Sequence, residues 1–480
     1  MENTRLGDIF GEMAADAADV VVSGVAYRSD RVRQGDLFVC IPGFKVDGHD
    51  FAADALAHGA VALVATRRLP FSVPHVIVPD ARIALATAAA AVHGHPSASL
   101  EVVGITGTNG KTTTTYLLDS VFRAAGRTTG LIGTVETRIG AERLASGHTT
   151  PESADLQALL ARMHGAGVTS VAMEVSSHAI DLHRADGIHF AAAAFTNLTQ
   201  DHLDYHKTME EYWAAKRTLF TSLDVEHRVV NIDDPRGADL ASEVGARWTV
   251  GRSASATVRA AGERPGPAST VFTLQSPAGS AELQLPLAGA YNVSNALVAA
   301  GCALALGIPL DRIVDGLENA PQVPGRLERV DEGQDFTVLV DYAHTPDSLA
   351  KAIGAVRTVT PGRVITVFGC GGDRDPAKRA LMGMAAGRGS DEVVVTSDNP
   401  RSEDPVGIIL QIEDGLKPTG VSYEPIVDRR AAIAHALSLA AAGDAVLIAG
   451  KGHEDYQIFA DRTIHFDDRE VAREELRDLC

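Results

Sequence analysis

The sequence predicts an α/β chain of three domains, the first smaller than the others, and three observations carry that prediction. At 480 residues the chain is too long for one ordinary core, and a length prior gives about three domains. Apolar strand patterns alternate with helical ones, and abundant Ala and Gly suit close packing of helix on sheet. Residues 101–119 read as a short strand, a glycine-bearing turn and a helix start, which is how a phosphate-cradling loop is built.

In the first unit, residues 1–97, strands are expected at 20–26, 35–41, 61–65 and 76–78, with a helix at 51–58. The turn at 42–49 is either a ligand loop or a plain connection, and 94–97 marks a linker. The second unit, 98–325, opens with a strand at 102–105 and continues with buried strands at 170–174, 191–196 and 228–232. Its helix at 292–306 stops at Gly307, and Pro324-Gly325 breaks the pattern. The third unit, 326–480, carries strands at 337–341, 364–369, 392–397 and 445–449. Each ends in a Gly-, Asp- or His-containing loop, where ligands gather in open α/β sheets.

The turn from Thr106 to Gly110 is the best-defined ligand signal. Gly107 and Gly110 let the backbone bend so that N–H groups converge, the next helix adds its positive dipole end, and Lys111 adds a mobile charge. The strict Walker pattern would place Gly where Ile105 stands, so Gly-Thr-Asn-Gly-Lys-Thr is a variant of it. A purely structural turn with a solvated Lys is the alternative. A nucleoside triphosphate is the expected ligand.

Composition narrows the partners. A net charge of −19 argues against nucleic acid and repels anionic substrates, so their binding must come from backbone nests, magnesium and placed Arg or Lys. No run of about 18 apolar residues occurs and the first residues are no signal peptide, so neither a membrane span nor export is expected. Cys40, Cys302, Cys370 and Cys480 show no pairing or metal spacing, which fits a reducing cytoplasm.

Glu174 ends a strand beside the phosphate loop, a position suited to a magnesium ligand or, equally, to an ordinary loop carboxylate. The next strand ends in Thr-Asn-Leu-Thr-Gln-Asp-His-Leu-Asp-Tyr-His, residues 196–206. No Cys or second spaced His completes a zinc site there, so His202 beside a magnesium nucleotide fits better. Lys216, in a helical segment, reads from its residues alone as a surface lysine.

Together with Met-Glu-Val-Ser-Ser-His, Tyr-Trp-Ala-Ala-Lys-Arg, Tyr-Asn-Val-Ser-Asn-Ala, Pro-Gly-Arg-Leu-Glu and Asp-Tyr-Ala-His-Thr-Pro, these motifs make residues 24–470 resemble the Mur ligases, and most of all their third-residue branch. These are ATP-dependent enzymes that add amino acids in peptidoglycan synthesis. The resemblance implies a central P-loop NTPase-like parallel sheet, a Rossmann-like C-terminal domain and a small N-terminal α/β domain that binds UDP. It implies a cytoplasmic enzyme, expected as a monomer, with ATP and Mg2+.

Residue by residue, it implies ATP contacts at Thr106, Gly107, Thr108, Asn109, Gly110, Lys111, Thr112 and Thr113, with Asn292 and Asn295 for adenine and Arg326 and Asp341 from the third domain. Thr112, Glu174 and His202 would serve the magnesium ions, and Lys216 matches a carbamylated lysine. Lys111, Glu174, His202 and Lys216 form the implied catalytic set. Ser29, the loop Phe44, Lys45 and Val46, and Thr149, Thr150, Ser176 and Arg184 match contacts to UDP-MurNAc-L-Ala-D-Glu. Where the family usually has Asp-Ser-Arg, this chain has Arg28-Ser29-Asp30.

In the third unit, Asp398-Asn399-Pro400-Arg401 resembles the signature for meso-diaminopimelate, with Arg374, Gly450 and Glu454 beside it. The chemistry agrees: two Arg forks suit the far carboxylate that lysine lacks, and Glu454 suits the far ammonium. The expected reaction is acyl-phosphate formation on the D-Glu γ-carboxylate, then attack by the amine, with the third domain closing on the second. A lysine-adding ligase, a folylpolyglutamate-synthetase-like ligase and a nucleotide-driven switch are the alternatives.

Overall fold

The computed structural model describes residues 4–144, 147–266 and 269–479. Three main sheets follow one another along the chain. The first is a four-stranded parallel sheet of β1 (Gly24–Ala26), β2 (Asp36–Val39), β3 (Ala62–Ala65) and β4 (His75–Ile77), in that order. The single strand expected at 20–26 is split. Ser23 N–H turns away to donate to Gly35 O at 3.0 Å, and Val21–Val22 pairs instead with Thr4–Arg5.

The second sheet has eleven strands, and its centre explains the site. β5 (Glu101–Thr106) lies between β6 (Ser170–Glu174) and β7 (Phe190–Phe195), parallel to both, with β8 (Val225–Asn231) beyond. Strand runs such as Ser-Val-Ala-Met-Glu are apolar through their centre because helices cover both faces, and all five of those residues are buried. The carboxyl ends of β5, β6 and β7 therefore discharge their loops at one edge, at the strand-order switch where ligands bind in open sheets. An antiparallel meander, Val258–Pro265, Thr270–Ser276 and Gly279–Leu285, extends the other side of the sheet, which periodicity alone did not predict.

The third sheet is six-stranded, and its strands Thr337–Asp341, Ala445–Ala449, Val364–Phe368 and Glu392–Val395 lie adjacent and parallel. Each sheet has its own apolar core. Behind two of the C-terminal strand ends lies an ion pair shut off from water. Arg429 donates to both oxygens of Asp468 at 2.7 Å, with both side chains 0% exposed, and its guanidinium also reaches Ala449 O and Ser397 O. The pair thus ties together the loops that begin at Asp398 and Gly450. Removing one partner leaves a buried charge uncompensated, so Asp468→Asn should cost about 3–5 kcal/mol, read as a lower urea midpoint. A loss below about 1 kcal/mol would mean that water reaches Arg429.

Candidate active site

The phosphate loop is stitched to its neighbour before any ligand arrives. Thr108 N–H donates to Asn197 O at 2.8 Å, Asn109 N–H to Asn197 Oδ1 at 3.0 Å, and Thr196 Oγ1 to Asn109 O at 2.6 Å. The Thr108 hydroxyl is engaged by Thr199 and Tyr212. The Thr108 and Asn109 N–H groups are therefore engaged by Asn197. The first turn of α1 (Lys111–Ala124) adds N–H groups that have no intrahelical partner. Thr106 is buried behind it. Gly110 sits at φ +87°, and a Cβ there would lie 2.3 Å from Asn295 Oδ1, so glycine lets the helix Ala290–Ala305, which carries Asn295, approach the loop.

Two lysines converge behind the loop. Lys111 Nζ donates to Gly107 O and Thr108 O, both at 2.9 Å, and Lys216 Nζ donates to the same Gly107 O at 2.9 Å. Lys216 is 1% exposed, so the surface-lysine reading is wrong: α2 (Met209–Thr221) turns this residue inward, over the Tyr212 ring. Burial, and then the Lys111 charge, drive the pKa of Lys216 well below the usual lysine value. Burial also lowers that of Lys111, opposed by Glu174 and Asp201.

Glu174 is 1% exposed, and Thr134, which sequence reasoning missed, holds it through N–H (2.8 Å) and hydroxyl (3.0 Å). His202, at φ +54°, stands 3.4 Å from Asp201 and edge-on to His178. Desolvation first, with His178 and the two lysines adding and Asp201 opposing, brings its pKa down to about 4, so it presents a neutral imidazole. Among the described residues no group of three or more His, Cys, Asp or Glu could hold a metal ion. Magnesium does not need such a cage, since it keeps waters and takes one or two protein ligands plus phosphate oxygens. The buried, pre-aimed Glu174 carboxylate and the Thr112 hydroxyl fit that demand.

A cavity of about 380 Å³ runs from the phosphate loop to the third unit, lined by Thr112, Thr113, Asn295, Arg326 and Asp341 among others. Asn295 Nδ2 donates to Asn292 Oδ1 at 3.1 Å, and Asn292 donates to Ala288 O, so this pair is fixed on one helix face. Arg326 crosses between units to Thr112 Oγ1 at 3.1 Å and lies over the Tyr342 ring. Asn109 makes a second crossing, to Asp347 at 3.3 Å.

A larger cavity of about 720 Å³ adjoins it, lined by Thr149, His202, Arg374, Asp398, Asn399, Arg401, Gly450 and Glu454 among others. Arg401, at φ +51°, donates to Gly372 O at 2.8 Å, while Pro400 supplies backbone at the same turn. Arg379, missed in the sequence, is 1% exposed and braces that turn by bonding Glu403 and Gly371 O. Thr150 Oγ1 donates to Glu174 O at 2.9 Å and accepts from Ser176 N–H, and Arg184 reaches Thr150 O at 3.3 Å. Thr150, Ser176 and Arg184 are thus bonded together at the end of the Glu174 strand, while Thr149 lines the cavity.

Further out, Ser29 is buried while Arg28 and Asp30 bond each other at 2.8 and 3.0 Å, so the reordered charges neutralise one another. Phe44 is 80% exposed and meets Tyr205 edge-on at 6.0 Å, and Lys45 and Val46 are exposed beside it.

Comparison with known proteins matches the Mur ligase family catalytic domain at residues 21–108, the Mur ligase middle domain at 105–303 and the Mur ligase glutamate ligase domain at 325–452. A Bacillus licheniformis protein named UDP-N-acetylmuramoyl-L-alanyl-D-glutamate--2,6-diaminopimelate ligase is 46% identical over 97% of this chain and 96% of its own. The chain belongs to the Mur ligase family. A Geobacillus thermodenitrificans protein of the same name is 49% identical over 93% of each chain. A solved structure of that name aligns with a TM-score of 0.73 at 31% identity, covering 100% of this chain and 99% of the other. Folylpolyglutamate synthase of Mycobacterium tuberculosis, at 19% identity and TM-score 0.61 over 83% of this chain and 94% of its own, shares the fold. Membership in a family of ligases replaces the nucleotide-switch reading.

Within this Mur ligase, Asp341 supplies a pH test. Burial raises its pKa to about 6 against the opposing Arg326 charge and the Leu327 N–H bond. A raised carboxyl pKa favours the folded state most below the unfolded pKa near 4, and that contribution is lost as pH rises through about 6. Asp341→Asn should therefore be more stable than the parent at pH 8 by roughly 1–3 kcal/mol, with the gap closing towards pH 4. Thermal unfolding at both pH values checks this, and an equal loss at both would contradict it.

Proposed function

We propose that this Mur ligase joins meso-2,6-diaminopimelate to the D-Glu γ-carboxylate of UDP-MurNAc-L-Ala-D-Glu at the expense of ATP, a step of cytoplasmic peptidoglycan precursor synthesis. The observation that carries the reading is the juxtaposition of a phosphate cradle with a pocket holding Arg374, Arg401 and Glu454. Residues 1–97, 98–325 and 326–480 are the UDP, ATP and amino-acid domains, and the crossings Arg326–Thr112 and Asn109–Asp347 are the contacts through which the third domain closes on the second.

ATP lies with its adenine against Asn292 and Asn295 and its phosphates at the α1 N-terminus and Lys111. Its γ-phosphoryl passes to the γ-carboxylate oxygen, giving an acyl phosphate and ADP. The α-amine of diaminopimelate then forms the C–N bond through a tetrahedral intermediate, the C–O bond to phosphate breaks, and the amine gives up its proton. Thr112, Glu174, His202 and carbamylated Lys216 would hold magnesium, which neutralises charge on the transferring group. Catalysis is positioning plus electrostatics: Thr149, Thr150, Ser176 and Arg184 fix the acceptor, and Lys111 meets the phosphoryl charge.

The family's carbamylated lysine makes sense at Lys216, since its burial favours the neutral amine, which is the form that attacks CO2. The resulting anion gives Lys111 a partner of opposite charge. Discrimination against lysine rests on the Arg forks, because a substrate without the far carboxylate leaves them unpaired.

Phosphate release with ATP, magnesium and UDP-MurNAc-L-Ala-D-Glu should require diaminopimelate and not accept L-lysine. Arg401→Ala should lower kcat/KM for diaminopimelate roughly 100-fold, the scale of one lost buried charge pair. Release with lysine would overturn the specificity, and release with neither amino acid would overturn the reaction.

A further inference from the structure

Lys451 is a buried cation that the mechanism above does not use. Its side chain is 0% exposed, and its ammonium contacts Glu454 Oε2 at 3.1 Å, Asn399 Oδ1 at 3.3 Å and the face of Tyr456. The orientation of the Asn399 amide is dictated by its surroundings. Oδ1 accepts from Ile458 N–H at 2.9 Å and from Lys451, which turns Nδ2 to Glu454 Oε2 at 2.9 Å. Both bonds to Glu454 thus fall on Oε2. The residue lines the acceptor pocket with 15% of its side chain exposed, which offers Oε1 to a ligand.

We propose that Lys451 is a positioning residue that keeps Glu454 ionised and aimed, so that Glu454 can accept the ammonium at the far end of the incoming amino acid. The inference deepens the proposed function and rests on its assignment of Glu454 to that ammonium. Three residues from two places in the chain make one unit: Asn399 follows the strand Glu392–Val395, and Lys451 and Glu454 follow Ala445–Ala449.

The electrostatics need the lysine. Burial and the neighbouring Asp398 raise the pKa of Glu454, and Lys451, with the Asn399 bond, pulls it back. The other ionisable groups coupled to it are Tyr342, Tyr456 and the Arg429 guanidinium, which is already committed to Asp468. Without Lys451 the Glu454 carboxyl would lose its main opposing charge and be pushed up further, and a protonated carboxyl is a poor acceptor for an ammonium.

Two measurements decide the matter. In Lys451→Met the KM for diaminopimelate should rise at least about tenfold at neutral pH and fall back as pH increases to about 9, the loss expected when a charged hydrogen bond depends on Glu454 ionisation. The wild type should show little such dependence, Lys451→Arg should restore most of the flat profile, and KM for ATP should hold in all three. An unchanged KM, or a raised one indifferent to pH, would overturn the proposal. The second measurement needs neither a variant that folds well nor any substrate. In wild-type protein carrying 13C-labelled glutamate, the Glu454 carboxyl, assigned by its loss in Glu454→Gln, should be ionised at neutral pH. Titration near neutral pH would overturn the role of Lys451 even if diaminopimelate proved not to be the substrate, whereas failure of wild-type phosphate release would fault only the assigned reaction.

Discussion

The carbonyl oxygen of Gly107 accepts from two buried lysines at once, Lys111 and Lys216. Two buried lysines gathered on one neutral acceptor, with no salt bridge from either among the described residues, leave any positive charge they carry without a partner. A nucleotide phosphate can answer for Lys111 from the open side of the loop. Lys216 lies behind the loop at 1% exposure, and the carbamate proposed there would supply the missing negative charge. Much of the site follows from this imbalance: Tyr212 and Thr108 wall it in, Glu174 is held ready by Thr134, and His202 is kept neutral.

The scaffold serves the same end in all three units. Parallel strands buried on both faces deliver their loops at one edge, and the loops are then braced by polar side chains. Asn197 braces the phosphate loop, Thr134 braces Glu174, Arg379 braces the turn carrying Arg401, and the Arg429–Asp468 pair braces the loops from Asp398 and Gly450. Each is a buried or half-buried polar contact whose loss is costly, which is the condition for holding a site rigid in a chain of net charge −19.

What was legible in the sequence had a local cause. The strands Ser170–Glu174, Thr337–Asp341 and Ala445–Ala449 match their expected limits because two-sided burial makes their central positions apolar. The meander from Val258 to Leu285 was missed, since its faces alternate between buried and exposed and its polar residues resemble a loop. Lys216 and Lys451 could not be told from solvated lysines, because burial is decided by which elements pack over them and not by their neighbours in the chain. Thr134 had no signal beyond its place after a strand end. The motifs revealed which residues gather, and the fold reveals what each is bonded to before substrate binds.

The most direct test of this account is a 13C NMR spectrum of the protein equilibrated with 13C-labelled bicarbonate. A carbamate resonance that is present in the wild type, absent in Lys216→Arg and accompanied by CO2-dependent ligase activity is the predicted result. Full activity in rigorously CO2-free buffer, with no carbamate resonance, would contradict it and leave the two lysines on Gly107 to be explained in some other way.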